Sequence, residues 1–186
     1  MQADWEVEIG PGAPVIEAHW PGFVDLRQVP AEAQNLIEAQ QLPALASVLA
    51  RINAVNWPVW TSKCDFWPVT NPADFDPGEL DAPPESAAHA YACYIDLLPR
   101  SDRQWTFPPM VVATCKHWCS LLHAIPLPSC RADFIVRRSH LPPNAWDHGV
   151  TAYFTACGPS PAQAQTVLSQ TLAAFAHVLS PNSTLQ

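Results

Sequence analysis

The sequence predicts an α+β protein: an antiparallel sheet of four to five strands with helices packed on one face. Three observations carry this. Four segments with strand-like alternation lie within residues 58–158. Two long helical patterns are interleaved with them, in the order strand, strand, helix, strand, strand, helix. The two halves also echo each other, KCDFWPV against RADFIVR, which suggests an internal ββα duplication. On this reading the chain is one domain. Residues 1–56 supply an N-terminal strand and helices, 57–126 a first ββα unit and 127–180 a second.

Each element has a local reason. In WEVEI, Trp5, Val7 and Ile9 alternate with Glu6 and Glu8, as in a strand with one apolar face. GPGAP then supplies turn chemistry, and residues 15–19 suit a second short strand. Over 31–53 the pattern turns helical, with Leu45, Val48, Leu49 and Ile52 on one stripe; Pro43 divides it into two short helices. PVWTSKCDFWPV (58–69) and AHAYACYIDLLPR (88–100) are strands joined by a long Pro- and Asp-rich loop. Residues 108–125 are helical, with apolar positions at Val111, Val112, Cys115, Trp118, Cys119, Leu122 and Ile125. SCRADFIVRRSHL and HGVTAYFTACG (148–158) are the next strands. A last helix spans 161–179, signalled by Ser160 as N-cap, Pro161 at its first position and Gln163 to close a capping box.

Composition excludes several functions. Only nine Lys and Arg stand against 17 Asp and Glu, a net charge of −8. Duplex phosphate demands clustered cations, so nucleic acid is not an expected partner. An acidic surface repels anionic membranes and steers basic proteins toward itself. The first 25 residues carry Asp4, Glu6, Glu8 and Glu17 but no Lys or Arg, unlike the basic start of a secretory signal. No run is apolar enough to span a bilayer. The expected location is the cytoplasm, with the six cysteines reduced.

Period-two sorting divides the four main strands into two faces. Cys64, Phe66, Cys93, Ile95, Leu97, Ala132, Phe134, Val136, Val150, Ala152, Phe154 and Ala156 form an apolar face for the helices. The other face carries Lys63, Asp65 and Trp67, then Tyr94 and Asp96, then Arg131, Asp133 and Arg137, then Thr151, Tyr153 and Thr155. An antiparallel sheet commonly shows one polar face to water, and that is the simpler reading. The alternative is a site. Lys63, Asp65, Tyr94, Asp96, Arg131, Asp133, Arg137 and Tyr153 are then the candidate ligand-binding residues. Asp65, Asp96 and Asp133 with Lys63 or Arg131 suit acid–base work or a cation. Arg131, Arg137, Tyr94 and Tyr153 suit a carboxylate or phosphate.

Other motifs are weaker. Cys115, Cys119 and His123 lie one turn apart, but a structural zinc draws four ligands, usually from more than one element. In an apolar stripe, reduced cysteine packs as a small hydrophobe. His140 and His148 flank a turn and read as solvated. Trp57, Trp60 and Trp67 cluster at one strand, with Trp20 and Trp105 in loops, where they either plug the sheet edges or meet a partner. Six glycines and no phosphate loop, dinucleotide fingerprint or nucleophile elbow leave no cofactor indicated. Two functions follow. One is an acidic accessory protein that binds a protein partner or small ligand through the polar face and Trp-rich loops. The other is a small enzyme built on the three aspartates, with or without a metal.

Overall fold

The computed structural model describes residues 1–71, 74–100, 105–140 and 146–181. Its strands are β1 (Gln2–Glu8), β2 (Val15–Glu17), β3 (Val59–Val69), β4 (His89–Pro99), β5 (Cys130–His140) and β6 (Trp146–Gly158). Its helices are α1 (Ile37–Gln41), α2 (Pro43–Ile52), α3 (Pro108–His123) and α4 (Pro161–Val178). Short 3-10 turns occupy Pro30–Asn35 and Pro84–Ser86. The architecture is mixed α+β, as the periodicities predict.

The sheet departs from expectation in two ways. It has six strands rather than four to five: five follow the order β1-β5-β6-β4-β3, and β2 pairs with β5 off that path. It is also not wholly antiparallel, because β1 and then β2 run parallel to β5 along its outer edge. A parallel neighbour is reached only by a long crossover, here most of the chain, so nothing local in the sequence announces it. The strand pairs β3-β4 and β5-β6 meet through β4 and β6 at the middle of the sheet. The helices after them sit differently: α3 lies over β1 and β5, α4 over β6 and β4. A repeat of complete ββα units is thus not visible in the helix positions.

The apolar face is buried as its alternation requires. Phe134, Phe154, Ile95, Leu97, Val136 and Val150 are inaccessible, and Phe175 of α4 and Trp118 of α3 wedge between them. Each large side chain so buried contributes roughly 1.5–3 kcal/mol. Cys115 and Cys119 lie in this core. His123 does not join them: its Nε2 accepts the Ala3 amide at 3.3 Å, which helps hold β1 in place. The N-cap of α4 is Ser160, whose Oγ accepts from the Gln163 amide at 3.3 Å.

Helix α2 joins the same layer. Leu45, Val48, Leu49 and Ile52 enter the main core beside α4 and the edge strand β3. The buried Asn53 then turns the chain into β3: it accepts the Thr61 amide at 3.1 Å and donates to Thr61 Oγ1 at 2.7 Å. Arg100 donates to the carbonyls of Asn53, Ala54 and Trp57, where α2 ends.

The opposite face is covered at both ends. At one end Ile16 and Ala18 pack on Trp60 and Leu98, with Phe23 against them. At the other, Leu80, Ala82 and Ala87 pack on Ala90 and Cys157. Between these two small cores the polar face forms the floor of a trough. Gly149 permits the first closure, since a Cβ there would stand 2.8 Å from Ile16 Cδ1 and 2.9 Å from the Leu97 carbonyl.

Candidate functional site

The trough floor is built from cross-strand register. Asp4, Asp133, Tyr153, Tyr94 and Asp65 pair in sequence across β1, β5, β6, β4 and β3, giving one continuous row. Beside it run Glu6, Ile135, Thr151 and Asp96. On its other flank lie Gln2, Arg131, Thr155, Ala92 and Trp67. Lys63 sits at a bulge in β3, where register shifts between Thr61 and Cys64. All eight candidate residues therefore belong to one surface.

They do not converge on one point. Asp65, Asp96 and Asp133 occupy three different strands. Asp65 and Asp133 are three strand spacings apart, about 14 Å. Among the described residues, no group of three or more His, Cys, Asp or Glu is placed to hold a metal ion.

The cations of the trough are already engaged. Arg131 Nε donates to Asp133 Oδ1 at 2.7 Å, and its terminal nitrogens face Asp4 at 3.6 Å and Glu79 at 3.8 Å. Arg137 donates twice to Glu8 Oε2, at 2.9 and 3.1 Å, and once to Thr151 at 3.2 Å. Lys63 lies 3.9 Å from Glu17 and 5.0 Å from the Trp20 ring centre. Guanidinium groups so enclosed have little left to offer an anionic ligand.

Several carboxylates are left over. Among the described residues Glu6, Asp65 and Asp96 close no ion pair within 4.0 Å. Asp96 is 6% exposed and accepts from Thr151 at 2.6 Å. Burial raises its carboxyl to about 6, against the opposing pull of Thr151, Arg137 and Lys63. Burial also raises Asp133, against its bond from Arg131. Between the acids lie aromatic rings: Tyr94 is 5.7 Å from Tyr153 and 6.2 Å from Trp67. Burial, then Asp96 and Asp65, push the Tyr94 phenol up to about 12.

Two clefts open on the trough. One, of about 380 Å³, lies where residues 20–38 approach β3 and Tyr94. The other, of about 210 Å³, lies among Asp4, Glu6, Glu79, Arg131 and Asp133.

No family model, curated protein or solved structure matches the chain. Its chemistry must therefore be read from the residues themselves.

The acids of β1 and Glu79 were missed in sequence. Alternation at Asp4, Glu6 and Glu8 signals a polar face, but not that β5 is its neighbour. The larger cleft carried no motif, because its wall is assembled from segments far apart in the chain. The tryptophans divide as well. Trp60 and Trp105 are buried, at 2% and 4% exposure, and so are withdrawn from any partner. Trp20 lines the larger cleft, and Trp67 borders the trough floor. His148 hydrogen-bonds through Nδ1 with the Trp105 carbonyl at 3.1 Å rather than standing simply solvated. The turn between His140 and Trp146 lies outside the described residues. No described helix is long and apolar enough to cross a membrane.

Proposed function

We propose that this chain is an acidic binding module whose trough captures a basic protein partner. The observation that carries the reading is the charge balance on the floor. Arg131 is shared by three carboxylates and Arg137 is held by Glu8, while among the described residues Glu6, Asp65 and Asp96 close no ion pair within 4.0 Å. Such a field attracts cations and rejects anions. Two clefts open on this face, which favours a docked partner over a flat solvated face.

The enzymatic reading draws on Asp96, whose raised carboxyl suits a general acid or base. It lacks the second group: Asp65 and Asp133 stand on other strands, and Asp96 lines neither cleft of the trough. Binding is the better account of the same residues.

The test is affinity capture with matched variants, each neutralising two exposed acids. Glu6→Gln/Asp65→Asn changes the trough; Asp74→Asn/Glu85→Gln changes the surface elsewhere. The captured protein should bind the trough variant at least about fivefold more weakly at 0.1 M salt. That difference should vanish near 1 M, where the screening length is about 3 Å. Equal weakening by both variants would mean general charge attraction and would remove the trough from the account.

A further inference from the structure

The larger cleft adds a second element of recognition to the acidic floor. Its lining includes Trp20, Leu36, Leu49, Lys63, Cys64 and Tyr94. Two of its lining residues leave apolar surface in water: Ile37 is 70% exposed and Val24 41%. A cleft lined in part by apolar side chains suits a large apolar side chain of a partner. The volume lies at the small end of the roughly 300–1,000 Å³ typical of ligand clefts.

Its electrostatics are those of the trough. Lys63 is occupied by Glu17 and Trp20. Burial and then Glu38, Asp65 and Asp96 push the Cys64 thiol up to about 12, and Glu38 itself lines the cleft. Tyr94 belongs both to the cleft wall and to the row that ends at Asp65. An aromatic face beside an exposed carboxylate, as Tyr94 is beside Asp65, is a cation seat. The molecule already uses this chemistry internally, with Arg137 5.8 Å from the Tyr153 ring centre.

We propose that the partner's contact segment places an arginine or lysine on Tyr94 beside the exposed Asp65, and a large apolar residue in the adjoining cleft edged by Ile37 and Val24. The proposal rests on reading the trough as the docking face for a basic protein. An extended segment suits the dimensions. The row from Asp4 to Asp65 crosses five strands, about 19 Å, which about six extended residues span. In such a segment, side chains two apart share a face, so anchor and cation stand at i and i+2.

Short blocked peptides test this by titration against the ¹⁵N-labelled protein, with amide shifts read at Ile37, Lys63 and Tyr94. Acetyl-Phe-Gly-Arg-amide should bind at least about fivefold more tightly than acetyl-Gly-Gly-Arg-amide. Acetyl-Phe-Gly-Glu-amide should leave these amides unmoved. Ile37→Glu, at an exposed position, should erase the advantage of the Phe peptide while leaving acetyl-Gly-Gly-Arg-amide no weaker. Equal affinity of the two Arg peptides, both weakened by Glu6→Gln/Asp65→Asn, would overturn the anchor and leave the acidic trough standing. Binding of the Glu peptide as tight as the Arg peptide would overturn the cation seat. No shift at the trough with any Arg peptide would remove the trough reading and this proposal together.

Discussion

Asp96 is the residue whose burial runs against its charge. It is nearly inaccessible and holds one hydrogen bond, from Thr151. Because its folded carboxyl stands at about 6, above the ordinary 3.8, the native state binds the proton more tightly than the unfolded chain. The sign follows from linkage: stability from this group is greatest below about pH 4 and falls as pH rises through about 6. Asp96→Asn keeps an acceptor for Thr151 and removes the ionisation. It should therefore stabilise the protein at pH 7 by on the order of 2 kcal/mol, with the gain shrinking toward zero near pH 4. Urea unfolding of both proteins between pH 4 and 8 measures this. A gain that does not change with pH would mean that the Asp96 proton is not the cause. The residue is then a charge retained against stability, as binding and catalytic surfaces often require.

At the scale of elements, local pattern and neighbour choice separate cleanly. Strands β3 to β6 are legible because apolar residues alternate within each, as in Cys93, Ile95 and Leu97 or Ala132, Phe134 and Val136, and α4 because Ser160 and Pro161 mark its start. The division of residues 31–53 at Pro43 was legible for the same reason, since proline opens α2. Periodicity assigns a side chain to a face but says nothing about which strand lies beside it. That is why the eight candidate residues were placed on one surface, yet the engagement of Arg131 by Asp4 and Glu79 was not foreseen. The covering of the polar face was equally hidden. β2 is three residues long, and the reason for Gly149 is visible only once Ile16 lies against it. Gly149→Ala should accordingly lower stability by about 1–3 kcal/mol, because a methyl group must displace Ile16 and the Leu97 carbonyl. Thermal unfolding reads the loss directly. An unchanged transition would show that β2 and its loop yield without cost.

Across the whole molecule, part of the net charge of −8 gathers on one face of the sheet. β1 contributes Asp4, Glu6 and Glu8 to the same face that already carries Asp133, Asp96 and Asp65. The arginines of β5 act as internal counter-charges that keep this face from self-repulsion. A binding module for cations and a site for anions then make opposite demands on Arg131. If Arg131 held an anionic ligand, removing it would abolish binding. If it restrains an acidic surface, Arg131→Gln should lower stability by about 1 kcal/mol or less, as expected for partly exposed pairs. It should also strengthen capture of acetyl-Phe-Gly-Arg-amide, by about two- to fivefold at 0.05 M salt and less at higher ionic strength. The same substitution thus moves stability and affinity in opposite directions. Affinity for the cationic peptide that falls with stability would argue that Arg131 shapes the site rather than balancing its charge.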